Sequence, residues 1–145
     1  GIWNLEARQK AIEGKKKKLT KAKVKPAKKN QANDKPRIFV QIACYRDPDL
    51  QYTVKDLFEK AAHPDRISVG ICWQFVKDED TECFRIPYPR PEQVRVHEID
   101  ARESKGVCWA RSLTQKMWDG EEFTLQIDSH MRFEEGWDDL LCEMW

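Results

Sequence analysis

The sequence predicts an α/β domain with a largely parallel sheet that is covered by helices on both faces. Short apolar runs rich in β-branched and aromatic residues recur between residues 38 and 127. Segments whose apolar residues recur near the helical period alternate with these runs, and the first two runs are apolar at most positions. Parallel strands need crossover connections of this kind, so the alternation favours a parallel sheet over hairpins.

Four strands and three helices are predicted in this order. The strands are expected over residues 38–43, 67–76, 94–99 and 123–127. The helices are expected over 50–62, 106–118 and 137–145, with Ser104 as the candidate cap of the second. The segment 78–91 is rich in charge and proline, and it is predicted to be a surface excursion.

Charge divides the chain after residue 37. The 145 residues carry 26 Lys and Arg against 25 Asp and Glu, but residues 1–37 have a net charge of +10 and residues 38–145 one of −9. Eleven lysines between residues 10 and 35, without an aromatic residue, predict a disordered or frayed helical tail. A linker is favoured over a nucleic-acid-binding arm, because no aromatic side chain is interleaved for base stacking.

Membrane insertion and a cleaved export signal are excluded for this sequence. No stretch approaches the roughly 18 consecutive apolar residues of a spanning helix, and the N-terminus lacks an apolar block. The five cysteines form no C-x-x-C pair and their number is odd, so a reducing compartment is the simpler interpretation. Four of them stand in apolar runs and are expected to be buried: Cys44, Cys72, Cys108 and Cys142.

Polar residues follow each predicted strand. In an open α/β sheet, ligands bind beyond the carboxyl ends of the strands, so these residues are the first candidates for a site. They are Tyr45, Arg46 and Asp47; Gln74 and Lys77; Asp100 and Arg102; and Asp128, Ser129 and His130.

Asp128 and His130 are candidate metal ligands. They are two residues apart in an extended segment, so their side chains leave the same face. A carboxylate with an imidazole suits Mn²⁺ better than Ca²⁺ or Mg²⁺, which favour oxygen. Two protein ligands leave coordination positions for a diphosphate, although D-x-H alone is also typical of a cap or a surface loop.

Four blocks of sequence carry a resemblance to a known family. The segment LQIDSHMRFEEGW, residues 125–137, looks like the metal-binding region of GT-A glycosyltransferases, and its D-S-H form is similar to that of the polypeptide N-acetylgalactosaminyltransferases. With IFVQIACYRDPDLQYTVKDLF, HPDRISVGICWQ and ESKGVCWARSL, it resembles the GlcNAc-transferase family that includes a cytoplasmic enzyme modifying hydroxyproline on a ubiquitin-ligase adaptor.

The resemblance implies a retaining, metal-dependent transferase that uses UDP-GlcNAc on a protein or glycan hydroxyl. The loop from Ala43 through Tyr45 and Arg46 to Asp47 matches the surroundings of the uridine, with Arg46 as the main charged contact expected. Further residues match the nucleotide-sugar site, namely Asp100, the segment Ser104 to Gly106, Arg111 and Asp128. Asp128 and His130 match the ligands of a divalent metal, Mn²⁺ by preference.

Several of these positions have structural alternatives. Arg111 could pair with a carboxylate such as Asp128, and Asp100 could cap the end of its strand. Trp73 and Trp137 could pack internally or stack on a sugar, whereas Trp109 and Trp118 are expected in the core.

The resemblance also defines the extent of the domain. Residues 38–145 are expected to form the N-terminal, nucleotide-binding half of a Rossmann-like GT-A domain that is truncated at its C-terminus and inactive alone, in a cytoplasmic protein. The alternative is a non-catalytic α/β module whose basic tail binds nucleic acid or another polyanion. The acceptor, the linkage, the catalytic base, a third metal ligand and the oligomeric state are not predicted.

Overall fold

The computed structural model describes residues 35–145, so the prediction of a disordered tail falls, for residues 1–34, outside the described part. A single sheet contains four parallel strands in the order β3-β2-β1-β4. The strands are β1 (Ile38–Tyr45), β2 (Ile67–Phe75), β3 (Val94–Asp100) and β4 (Phe123–Ile127). The predicted α/β class with a parallel sheet is therefore confirmed.

Three helices follow β1, β3 and β4. They are α1 (Leu50–Glu59), α2 (Val107–Gln115) and α3 (Trp137–Glu143), and short 3-10 turns occupy several of the connections. None of the helices in the described part is long and apolar enough to cross a membrane.

One face of the sheet packs against α1 and α3. Alternate residues of β1 point to this face and are fully buried together with the apolar stripe of α1: Ile38, Val40, Ile42, Leu50, Val54 and Leu57. The indole Nε1 of Trp137 donates to the Leu57 carbonyl at 2.9 Å and joins the two helices. The apolar residues of β4 extend the same layer, since β4 pairs with β1 in register from Ile38 and Phe123 onward.

The opposite face packs against α2. The Thr114 hydroxyl lies 3.3 Å from the side-chain oxygen of Gln41, and both residues are buried. Thr124 and Gln126 of β4 are exposed on this side, as is His97 of β3. Coverage of both faces therefore holds for the two central strands and not for the edge strands.

The connection over residues 78–91 is less peripheral than the sequence predicts. Cys83 is buried, and the ring of Phe84 lies 4.8 Å from that of Trp73 between centroids. The side chain of Gln51 on α1 donates to the carbonyls of Pro48 and Glu82, and its oxygen accepts from the amides of residues 85 and 86. The segment is thus fastened to α1 although its charged residues face solvent.

A buried ion pair fixes the start of α3. Asp138 is fully buried, and its Oδ2 accepts from Nε of Arg66 at 3.0 Å. The same oxygen lies 2.8 Å from Nη2 of Arg66, whose side chain is 2% exposed. The same carboxylate accepts from the amides of Ala62 and His63 at 2.7 and 3.0 Å. Three hydrogen-bond donors on the α1–β2 connection therefore satisfy one buried carboxylate.

Candidate functional site

A cleft of about 280 Å³ opens at the carboxyl ends of β1 and β2, beside the start of α2. It is lined by Ala43, Tyr45, Gln74, Ser104, Gly106 and Val107. Gly106 immediately precedes α2 with φ of +91°, a backbone conformation that glycine adopts without the steric cost borne by other residues. The structure therefore brings three predicted site residues, Ala43, Tyr45 and Gly106, to one cleft.

Arg46 continues the chain from this cleft but turns its guanidinium to carboxylates. Its φ of +50° lies in the left-handed region, while its amide still donates to the Gln74 carbonyl at 2.8 Å. The guanidinium pairs with Glu79 at 2.7 Å and with Asp80 at 3.0 Å. The uridine contact expected of Arg46 stays a prediction, and it requires this charge to be shared with two carboxylates.

Asp100 has the cap geometry that was the alternative to a nucleotide contact. Its carboxylate accepts from the Arg102 amide at 2.9 Å and from the Arg102 guanidinium. These bonds to Arg102 lower the pKa of Asp100 to about 2. The residue thus ends β3 and begins the 3-10 turn Ala101–Glu103.

Arg111 and Asp128 come together at the end of β4. The guanidinium of Arg111, on the second turn of α2, lies 3.6 Å from a carboxylate oxygen of Asp128. Both side chains keep solvent access, since 36% of Arg111 and 63% of Asp128 is exposed. Two residues that are 17 positions apart in the sequence therefore present a cation and an anion to the same open edge.

Asp47 connects the β1–α1 loop to the residues after β4. Its Oδ2 accepts from the Ser129 hydroxyl at 2.6 Å and lies 3.0 Å from Nδ1 of His130. Its Oδ1 accepts from the Asp49 amide at 2.9 Å. The uridine contact expected of Asp47 stays a prediction, and the structure shows its carboxylate holding the D-S-H segment.

These contacts shift the ionisation of Asp47 and His130 in opposite directions. Burial raises the pKa of Asp47, but the hydrogen bonds from Ser129, the Asp49 amide and His130 outweigh burial and hold it below its usual value. The hydrogen bond to Asp47 raises the pKa of the His130 imidazole above its usual value. Each group thus favours the charged form of the other.

Side chains of α1 hold the rest of this loop, residues 129–133. The Thr53 hydroxyl donates to the Ser129 carbonyl at 2.7 Å and accepts from the Met131 amide at 3.0 Å. Asp49 forms a bidentate pair with Arg132 at 2.8 and 3.0 Å. Asp56 accepts from the Phe133 amide at 2.6 Å. The sequence pattern predicts polar residues at the start of this helix but not the partners of their side chains.

One ring nitrogen of His130 is free of hydrogen bonds to the described residues. The His130 side chain is 66% exposed, and no described residue donates to or accepts from its Nε2. Nδ1 already faces a carboxylate, an arrangement typical of metal-binding histidines. Within residues 35–145 no group of three or more His, Cys, Asp or Glu side chains is arranged to hold a metal ion. The Asp128 and His130 assignment stays a prediction of two ligands.

Other sequence predictions have mixed outcomes. Trp73 and Trp137 are 7% and 5% exposed, so both pack internally. The core position predicted for Trp118 is wrong, because its side chain is 52% exposed beyond the end of α2. Burial is also wrong for Cys108, which lies on the outer side of α2, while Cys83 is buried.

Comparison with known families identifies the chain. A model of the family described as glycosyltransferase (GlcNAc) matches residues 37–91 and 84–145, which together include every strand and helix of the described domain. The chain belongs to the GlcNAc glycosyltransferase family. No curated protein matches it with significant similarity.

The family match agrees with the resemblance found in the sequence as far as the glycosyltransferase family is concerned. As a GlcNAc glycosyltransferase domain, the chain is assigned to glycosyl transfer. The matched residues contain the cleft, the Arg111 and Asp128 pair and the loop held by Asp47.

Proposed function

We propose that this domain carries the nucleotide-sugar site of a GT-A, metal-dependent GlcNAc-transferase. The observation that carries the proposal is the meeting of three features at the carboxyl edge of one parallel sheet. They are the cleft, the Arg111 and Asp128 pair, and the exposed His130 side chain, whose Nε2 has no hydrogen-bond partner among the described residues. This edge is where open α/β sheets bind ligands. The donor proposed is UDP-GlcNAc, and the acceptor is a hydroxyl group of a protein or glycan in the cytoplasm.

The proposed reaction transfers GlcNAc with retention of anomeric configuration. The bond between the anomeric carbon and the β-phosphate oxygen breaks and releases UDP. A bond from that carbon to the acceptor oxygen forms, and the hydroxyl proton passes to the departing diphosphate. Asp128 and His130 would hold a divalent cation, which when bound supplies positive charge opposite the diphosphate. Arg111 supplies a second positive charge at the same edge, and the cleft offers the uracil ring a mostly apolar surface.

Metal-dependent UDP binding tests this proposal. We expect the 145-residue chain to bind UDP in the presence of Mn²⁺, and Asp128→Ala or His130→Ala to weaken that binding about tenfold or more. The two losses should not add, because an ion that has lost one ligand is already loosely held. His130→Asp should retain part of the affinity and shift the preference towards Mg²⁺, which favours oxygen ligands. Isothermal titration with each metal measures the two alanine variants, their double variant and His130→Asp.

Matched controls separate the site from general surface effects. Asp78→Ala and His97→Ala remove an exposed carboxylate and an exposed imidazole far along the sequence from the loop, and they should leave UDP affinity unchanged. An unchanged UDP affinity in both Asp128→Ala and His130→Ala would rule out the proposed metal site. Salt-sensitive binding of a short duplex without UDP binding would favour the polyanion-binding alternative.

A further inference from the structure

We propose that Asp47 is a positioning residue that fixes the ring of His130 with its proton on Nδ1 and its free lone pair on Nε2. This inference deepens the proposed function and rests on it where the cation is concerned. It assigns Asp47 a role through His130, in place of the nucleotide contact that the resemblance implies.

The bonding capacity of Asp47 determines the tautomer. An ionised carboxylate only accepts hydrogen bonds, so the Nδ1 atom at 3.0 Å from its Oδ2 must carry the proton. In the neutral ring, Nε2 then bears the lone pair. Because no described residue bonds to Nε2 and the side chain is 66% exposed, this lone pair is available at the open edge of the sheet.

The carboxylate itself is held from two directions. Oδ1 accepts from the Asp49 amide at 2.9 Å, which orients the group within its own loop. Oδ2 accepts from the Ser129 hydroxyl at 2.6 Å as well as from His130. Only 24% of the Asp47 side chain is exposed, so the group has little freedom to rotate away.

These contacts make Asp47→Asn an informative replacement. The Asp49 amide needs an acceptor, so the asparagine oxygen stays at the position of Oδ1. Its NH₂ group then occupies the position of Oδ2 and points a donor at His130 Nδ1. The ring has to accept there, and its proton moves to Nε2, where it blocks the lone pair that a cation needs.

Nitrogen-15 spectra of the histidine ring read this tautomer directly. The measurement uses the metal-free 145-residue chain at a pH where the ring is neutral, and the His130 signals are assigned by their loss in His130→Ala. We expect the Nδ1–H form in the natural sequence and the Nε2–H form in Asp47→Asn. Asp49→Asn is the matched control, because the Asp49 carboxylate is on the same loop but contacts Arg132 and not His130. The tautomer of His130 should be unchanged in this variant.

Titration of UDP with Mn²⁺ then connects the tautomer to binding. Asp47→Asn should weaken metal-dependent UDP binding by about ten- to a hundredfold, the range for a lost partner of a metal-bound histidine. An Nε2–H tautomer in the natural sequence would overturn the inference even if Asp47→Asn does not fold. A failure of the chain to bind UDP would overturn the proposed function and leave the tautomer result standing, so the two failures are distinguishable.

Discussion

At the scale of single residues, Gly70 shows how closely the sheet and α2 approach. A Cβ added to Gly70 would lie 2.5 Å from the ring of Phe39 and 3.2 Å from the Met117 sulfur. No side chain fits there unless the Phe39 ring moves. A glycine in the middle of a strand, usually unfavourable for the strand, is therefore required by packing.

We predict that Gly70→Ala lowers the free energy of unfolding by about 1–3 kcal/mol, the usual cost of overpacking a core. Phe39→Leu removes the ring that the new methyl group would meet. The double variant should therefore be less destabilised than the sum of the two single variants. Urea denaturation of all three forms measures the coupling, and strict additivity would show that the methyl group is accommodated elsewhere.

His130 shows at the same scale what the sequence could provide. The spacing of Asp128 and His130 was sufficient to nominate both, because a period of two is a local property of extended chain. The partner of the ring was beyond such reasoning, since Asp47 is 83 positions away. The sequence identifies Asp47 as a strand-end residue and, by resemblance, as part of a nucleotide loop, but its contacts with Ser129 and His130 are visible only in the structure.

At the scale of elements, the strands were predictable and the helix ends were not. β4 begins and ends where its alternating pattern predicts, and β1, β2 and β3 differ by one or two residues at one end. Helix α1 ends at Glu59 rather than at residue 62, because the Lys60 carbonyl accepts from the Gly136 amide and Asp138 accepts from the amides of Ala62 and His63. Contacts with a distant element therefore end the helix.

The buried ion pair between Arg66 and Asp138 gives a prediction at this scale. Asp138→Ala should lower the free energy of unfolding by about 3–5 kcal/mol, because it leaves a buried guanidinium without its main partner. Asp139→Ala is the control: it removes the neighbouring carboxylate, which is 35% exposed, and should cost less. Denaturant unfolding compares the two, and equal losses would contradict a special role for the buried carboxylate.

The same pair predicts how stability responds to acid. Burial raises the pKa of Asp138, but the hydrogen bonds from the Ala62 amide, Arg66 and the His63 amide together lower it by more. The net pKa of Asp138 is therefore below its usual value. A carboxyl with a depressed folded pKa stabilises the fold above its unfolded value and loses that contribution as the pH falls through the folded value. The natural chain should therefore lose more stability below about pH 4 than Asp138→Ala does.

At the scale of the whole molecule, the end of the basic segment belongs to the folded domain. The Arg37 amide donates to Glu122 at 2.8 Å, its guanidinium donates to the Gly120 carbonyl at 2.6 Å, and its carbonyl accepts from the Phe123 amide. Lys35 pairs with Asp139 at 2.9 Å. The change in charge predicts a boundary after residue 37. Lys35 and Arg37 nevertheless contact residues of the folded domain, and the charge pattern does not reveal these contacts.

Two truncated forms test this boundary. A chain of residues 35–145 should keep UDP affinity within about twofold of the full sequence, because no proposed contact lies in the removed segment. A chain of residues 38–145 should be less stable, since it lacks the Arg37 bonds to the start of β4. Thermal unfolding and UDP titration measure both, and a tenfold loss of affinity in the longer form would mean that residues 1–34 contribute to the site.

The loop of residues 129–133 also bears on the order of folding. Its side-chain hydrogen bonds to the β1–α1 region join residues 76 to 83 positions apart. Contacts of such long sequence separation repay the entropy of chain closure only after the intervening strands have docked. A partly folded chain, with β1 and β2 already paired, therefore has Asp128 and His130 in its sequence but no oriented ligand. The cation binding proposed for these residues would therefore arise only with the last docking step, and before that step the imidazole would be no more selective than one in an unfolded peptide.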